Sequence, residues 1–223
     1  MEESATTLTP ALQDYLKAIY LLEERGTSVT TSALAGHLGV SAPSATAMTK
    51  RLATLELAAR QPYRGVVLTE RGRRAALEVL RRHRLLERFL VDQLGMSLDE
   101  VHAEAERLEH ALSETLETKI DDKLGHPTHD PHGDPIPDAE LRLSHSNSRR
   151  SLDELPIGER ATVRAVPDGD RALLQYLASI GLVPGAAVET VARGPFGGPI
   201  TVRTRAGDTP LAAELAASVA VSR

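Results

Sequence analysis

One stretch limits the fold more than any other: SVTTSALAGHLGVSAPSATAMTKRLATLELA, residues 28–58. It predicts two short helices broken by Gly39. The first runs from about Thr31 to Leu38, with Leu34 and Leu38 facing inward. Ser41 is a natural N-cap for the second, and Pro43 suits its first turn. A helix precedes the pair, from Thr9 to about Glu24. Pro10 sits in its first turn, Leu12, Tyr15, Leu16, Ile19 and Tyr20 form its apolar face, and Gly26 ends it. The segment ARQPYRGVVLTERG follows and reads as strand, turn at Pro62 to Gly65, and strand. Helix, glycine turn, capped helix and basic hairpin in that order predict a winged helix-turn-helix.

A recognition helix must present small and polar groups at its N-terminal end, where base edges lie in the major groove. SAPSATAMTK offers Ser41, Ser44, Thr46 and Thr49, while Pro43 and the threonine methyls suit thymine methyl groups. Lys50 and Arg51 are placed for phosphates. Arg60, Arg64 and the Tyr63 hydroxyl decorate the wing. Phosphate contacts position a protein without reading sequence, so specificity leans on apolar contacts and DNA shape. The charge distribution agrees better than the total does. The chain carries a net −5, yet Lys50 to Arg88 holds eleven Lys/Arg against four Asp/Glu. Residues 99–122 reverse the balance, with nine acidic residues against two basic ones. This segregation suits an anionic partner at one place and a cation at another.

The acidic part contains VHAEAERLEHALSE, residues 101–114. The spacing predicts one helix from about Leu98 to Leu124, entered after a long helix from Thr69 to Leu94 that Gly95 breaks. His102, Glu106, Glu109 and His110 share a stripe of it. Solvated helices usually mix Glu with Lys or Arg at such spacings, because like charges repel. On the preceding helix His83 and Glu87 stand one turn apart among Val79, Leu80, Leu86, Phe89 and Leu90. Two such helices packed antiparallel would bring the polar stripes together, and buried carboxylates need a cation. Each histidine taken singly is an ordinary surface or core residue; the combination predicts a metal site. The chain has no Cys, so the ligands are imidazole and carboxylate, which favours Mn²⁺, Fe²⁺ or Zn²⁺ over a zinc–thiolate cluster.

The segment at 125–151 is rich in Pro, His, Asp and Ser, and its second half reads as a flexible linker. His126, His129 and His132 lie in a Pro-broken run with no regular element to hold them together, and His145 falls in the linker. After it, RATVRAVP, a short amphipathic helix ending at a glycine, a hairpin through PFGG and a last strand predict a small β-barrel with one helix. No apolar run reaches the ~18 residues that suggest a membrane span. The N-terminal residues carry no basic-then-apolar signal. A cytoplasmic protein without a membrane partner is expected. A metal-dependent hydrolase would need a nucleophile, a general base or a phosphate loop beside its metal, and none is visible. No catalytic residue and no small-molecule substrate is therefore expected.

HRLLERFL, VHAEAERLEHALSE and HDPHGDPIP, with LLQYLASIGLVPG and GGPITVR further on, resemble the diphtheria-toxin-repressor family of metal-dependent transcription regulators. The resemblance covers nearly the whole chain. It implies a mainly α fold with small β parts: a winged helix-turn-helix at 1–74, a helical metal-binding and dimerisation domain at 75–140, a linker at 141–151 and an SH3-like, FeoA-type barrel at 152–223. It implies a primary metal site of Asp14, Glu106, Glu109 and His110, and an ancillary site of His83, Glu87 and His102. Asp170 or Asp168 of the barrel is a further candidate for the ancillary metal. Iron-responsive members have Met and Cys where Asp14 and Glu106 stand, so the resemblance is to the manganese-responsive members, with Fe²⁺ as the alternative to Mn²⁺. Some short manganese regulators place Glu where this chain has Lys17, which implies separated sites rather than a two-metal cluster. Ser41 and Pro43 match residues that face bases, and Ala47 replaces a Gln, which implies a different operator. The implied partners are double-stranded palindromic operator DNA and a second copy of the chain.

Overall fold

The computed structural model describes residues 8–143 and 150–222. They fall into two compact units. One gathers Met1–His83, Glu109–Leu112 and Pro137–Arg142; the other gathers Arg84–Leu108, Ser113–Ile136 and Leu143–Arg223. The architecture is mainly helical, with a winged helix-turn-helix at the N-terminal end and an SH3-like barrel at the C-terminal end.

In the first unit, α1 (Pro10–Glu24), α2 (Thr31–Leu38) and α3 (Ala42–Thr54) close around Leu12, Leu16, Ile19, Leu34, Ala45 and Leu52. Local chemistry sets their ends. Thr30 accepts a cap bond from the Ala33 N–H (3.0 Å), and Ser41 accepts one from Ser44 N–H (3.3 Å). Gly39 takes the left-handed φ of 65° that lets α2 stop and the chain turn into α3. Strands β1 (Ala58–Gln61) and β2 (Gly65–Leu68) form the antiparallel wing. Its tip residue Tyr63 is fully exposed. Thr49 is a correction: its side chain is buried and its hydroxyl donates to Thr46 O, so it packs under α3 rather than facing DNA.

Three contacts tie the wing to α1. Val29 forms a parallel bridge with Gly65. A Cβ on Gly65 would lie 2.2 Å from Val29 O, so only glycine permits this pairing. Glu23 of α1 accepts from Leu68 N–H (2.9 Å) and pairs with Arg73 (2.7 Å), whose guanidinium also stacks 5.3 Å from the Tyr20 ring centroid.

Helix α4 (Glu70–Leu94) starts with Thr69 accepting from Gly72 N–H (3.0 Å), and the boundary between units falls within it. It was expected to be followed by one helix from Leu98 to Leu124. Instead α5 (Leu98–Leu108) and α6 (Glu114–Leu124) are separated by a turn at 109–113. The reason is local: Ser113 accepts from Leu116 N–H (3.3 Å) and starts a new helix, with Glu114 and Glu117 at its positive end. Glu109 and His110 therefore stand on a connection, not on a helix face.

In the second unit, β3 (Arg150–Ser151), β4 (Arg160–Ala165), β5 (Ala187–Arg193), β6 (Ile200–Thr204), β7 (Gly207–Leu211) and β8 (Ala220–Ser222) form one antiparallel sheet in the order β3-β8-β4-β5-β6-β7. Alternation along β4 turns Ala161, Val163 and Ala165 into a core with Leu152, Leu177, Leu182, Val202 and Leu211. Helix α7 (Arg171–Ser179) was foreseen; the short α8 (Ala213–Ser218) was not. Of the expected linker, residues 144–149, His145 included, lie outside the described residues, and Arg150–Ser151 already pair with β8. The segment before it is anchored rather than loose. His132 O accepts from Val166 N–H (3.0 Å), and a Cβ on Gly133 would meet Arg164 O at 1.8 Å. Across α5, Arg171 and Gln175 of α7 hold Asp99 at 3.1 and 2.8 Å. No helix among the described residues is long and apolar enough to cross a membrane.

Gly72 is the tightest backbone approach in the first unit, since a Cβ there would sit 1.8 Å from Leu57 O. Gly72→Ala should cost about 1–3 kcal/mol of stability through forced backbone displacement. Urea unfolding checks this; a change below about 0.5 kcal/mol, the range of an ordinary surface substitution, would show that the wing root yields freely.

Candidate metal centres

Each unit builds its own cluster of ligand-type side chains. In the first, Asp14 on α1 meets Glu109 and His110 on the 109–113 turn, with one ligand atom from each lying within 4.8 Å of the others. His110 Nε2 stands 2.9 Å from Asp14 Oδ1 and 3.6 Å from Glu109 Oε1. Its other nitrogen, Nδ1, lies 2.6 Å from Gln13 Oε1. A donor hydrogen bond from Nδ1 leaves the Nε2 lone pair available to a metal and fixes the ring orientation. Gln13 is a functional candidate that the sequence reading missed. Its only signal was adjacency to Asp14.

Glu109 is almost wholly buried, and its surroundings explain how that is tolerated. Lys17 Nζ donates to Oε1 at 2.7 Å and Oε2 at 2.9 Å, and His83 Nδ1 lies 2.5 Å from Oε2. Lys17 and His83 are themselves buried.

In the second unit, Glu87, Asp130 and His132 form a fully buried cluster with ligand atoms again within 4.8 Å of one another. Glu87 Oε1 lies 3.0 Å from His102 Nδ1, and its Oε2 is 3.7 Å from His132 Nδ1. His132 Nε2 bonds to Leu98 O at 3.1 Å. Asp130 Oδ1 accepts from Asp134 N–H (2.8 Å), and Arg84 Nε stands 3.5 Å from Oδ2. Arg84 also donates to Pro135 O (2.6 Å), clamping the loop that carries Asp130 and His132 onto α4. Asp130 Oδ2 and His132 Nδ1 are buried atoms that make no hydrogen bond among the described residues. Such atoms are costly unless an ion meets them, so the donor set fits a divalent cation.

The other sequence candidates are placed as follows. His102 faces Glu87, and its Nε2 lies 3.9 Å from Glu106 Oε1, one turn along α5. Glu106 is exposed. Asp170 caps α7 by accepting from Leu173 N–H (3.1 Å). The 168–170 loop passes close to His102, because a Cβ on Gly169 would lie 4.0 Å from its Nε2. His126 and His129 are exposed, whereas His132 is fully buried, which corrects the reading of the whole run as loosely held. Ser41, Pro43, Ser44, Lys50, Arg51, Arg60 and Arg64 are exposed on α3 and the wing. Thr46 is half-buried, with its hydroxyl donating to Ala42 O (2.9 Å).

Comparison with known proteins agrees with this layout. The family description "Iron dependent repressor, N-terminal DNA binding domain" matches residues 7–66, "Iron dependent repressor, metal binding and dimerisation domain" matches 69–138, and the FeoA domain matches 150–223. The iron-dependent repressor IdeR of Mycobacterium tuberculosis is 36% identical over 97% of this chain and 98% of that protein. Among solved structures, a "Manganese-dependent transcriptional repressor complex with manganese" superposes with a TM-score of 0.84 at 42% identity, covering 94% of this chain and 98% of that one. The manganese regulator SloR gives 0.82 at 29% identity, covering 97% and 100%. The chain thus belongs to the iron-dependent, diphtheria-toxin-type family of metal-dependent transcriptional repressors.

The second cluster makes ion uptake depend on pH. Burial alone would lower the His132 imidazole, but Glu87 and then Asp130 outweigh it and raise it from 6.5 to about 9. Burial, followed by the Glu87 and Asp134 carboxylates, pushes Asp130 from 3.8 up to about 7 against Arg84 and His132. A raised histidine stabilises the fold fully below 6.5 and loses that contribution as pH rises through about 9. A raised carboxyl costs stability progressively as pH rises from 3.8 through about 7. Both lower the metal-free stability as pH rises, and a cation must displace both protons. Divalent-ion stabilisation, read as the rise in Tm on adding the ion, should therefore be larger near pH 9 than near pH 6.5. His132→Gln should flatten that dependence; an unchanged profile in the variant would remove His132 from the cluster's proton balance.

Proposed function

We propose that the chain is a manganese-responsive repressor: Mn²⁺ binding stabilises a homodimer whose paired winged helices engage palindromic operator DNA. The supporting observation is the Asp14, Glu109 and His110 cluster, which offers only oxygen and imidazole nitrogen. Mn²⁺ stands at the weak end of the divalent affinity order and suits such ligands, so a site without sulfur favours it through ligand type and geometry. Asp14, Glu106, Glu109 and His110 form the proposed primary ligand set. The second set is drawn from His83, Glu87, His102 and Asp170, to which the buried Asp130 and His132 are added. Residues 1–74 read DNA, 75–140 hold metal and dimerise, and 152–223 form the barrel beyond the 141–151 linker. The protein is read as a regulator, not an enzyme. The iron-dependent relatives keep Fe²⁺ as the second reading, with the same fold and the same DNA partner.

Bound at the first centre, a divalent ion supplies a positive charge shared by α1 and the 109–113 turn. α1 belongs to the DNA-reading unit through Glu23 and Val29, so fixing Asp14 fixes the reading head. Half-site spacing then follows from two-fold symmetry. On DNA, Ser41, Pro43, Ser44 and Thr46 face bases, and Lys50, Arg51, Arg60 and Arg64 face phosphates.

Asp14→Ala should weaken ion-dependent operator binding by roughly 5–150-fold, the usual span of such coupling, while leaving the fold intact. Fluorescence anisotropy with Mn²⁺ and, anaerobically, with Fe²⁺ measures this and ranks the two ions. Activation by Mn²⁺ unchanged in the variant would sink the linkage through Asp14. Arg64→Ala should weaken binding to all sequences alike and reduce the salt slope by about one counterion. A loss confined to the operator would instead make Arg64 a base reader.

A further inference from the structure

Lys17 stands inside the first centre, where a positive side chain opposes the binding of a positive ion. Its ammonium contacts both oxygens of Glu109, at 2.7 and 2.9 Å, and lies 3.5 Å from His83 Nδ1. The oxygen at 2.7 Å, Oε1, also faces His110 Nε2 at 3.6 Å, and His110 Nε2 is 2.9 Å from Asp14. The carboxylate oxygen best placed to join Asp14 and His110 around an ion is thus the one that the ammonium holds most closely. Both partners of the pair are buried, so water screens them little.

We infer that Lys17 is the resident counter-cation of Glu109 and competes with the divalent ion for it, setting the ion affinity of the centre below what its ligands alone would give. This rests on the reading of Asp14, Glu109 and His110 as a metal centre. Two effects have opposite signs. As a competitor, the ammonium occupies lone pairs of Glu109 and repels an ion bound a few ångströms away. As a mere prop, it would hold Glu109 in position and strengthen ion binding. The geometry favours competition, because His83 already orients Oε2 at 2.5 Å and the buried turn holds the rest. The functional consequence is a threshold: the chain stays ion-free until the free ion concentration is high enough to share a carboxylate already neutralised from within.

Calorimetric titration of the metal-free, full-length protein with Mn²⁺ tests this in wild type, Lys17→Met and Lys17→Arg. Lys17→Met should bind Mn²⁺ about tenfold more tightly at unchanged stoichiometry, and its metal-free form should melt at lower temperature, since Glu109 has lost its partner. Lys17→Arg keeps the charge and should stay near wild type. Should the methionine variant not fold, Lys17→Gln retains a donor to Glu109 without the charge and takes its place. Equal or weaker affinity in a folded neutral variant overturns the proposal, as does an arginine variant as tight as the neutral one. Failure of the underlying reading looks different: Asp14→Ala would then bind as many Mn²⁺ ions as wild type, and the proposal would fall with it.

Discussion

A carboxylate with almost no water around it governs the first unit. Glu109 is acceptable there only because Lys17 and His83 surround its oxygens and His110 stands beside it. Such a group is costly when isolated and stable when fully partnered. It thereby dictates where its partners must be. Lys17 and Asp14 come from α1, His83 from α4, and Glu109 itself from a turn more than ninety positions after Asp14 in the chain. The charge balance, more than apolar packing, specifies how these segments meet. A cluster held by charge answers to added charge, which is what a metal-dependent regulator requires.

The second cluster follows the same logic with different parts. Glu87 and Asp130 share a buried space with His132, and Arg84 from the same α4 supplies fixed positive charge beside Asp130. Two elevated proton affinities, on His132 and Asp130, are how a carboxylate-rich pocket stays near neutral without an ion. Backbone contacts of the barrel with His132 and Gly133 mean that this pocket lies under the C-terminal lobe and not apart from it.

Much of this was legible in the residues because its causes are local. Thr30, Gly39, Ser41 and Thr69 end or start helices by bonds spanning three or four positions, and they mark the reading head correctly. Alternation revealed β4, and the hairpin of β5 and β6 was visible from its turn. The stripe of His and Glu pointed to the right chemistry for a partly wrong reason: Glu109 and His110 leave the helix at 108, because Ser113 begins another. The acidic pair Glu114 and Glu117 behind Ser113 was the available signal. Asp14 was found only through family resemblance, since nothing in QDYLKAIY marks an aspartate that meets a residue so distant. His132 and Asp130 were passed over because their burial depends on Arg84 and on the barrel backbone, partners that no short window contains. Lys17 was read as a departure from a metal cluster; its bond to Glu109 could be seen only once the chain was folded.

The bridge between Val29 and Gly65 makes the segment joining α1 to α2 a third edge of the wing. Together with the hold of Glu23 on Leu68, it leaves no hinge between the helix bearing Asp14 and the hairpin bearing Arg60 and Arg64. A displacement of a few tenths of an ångström at the ligand end is then transmitted to the wing as rotation of one solid lever, its amplitude growing with distance from the pivot instead of being absorbed in a loop.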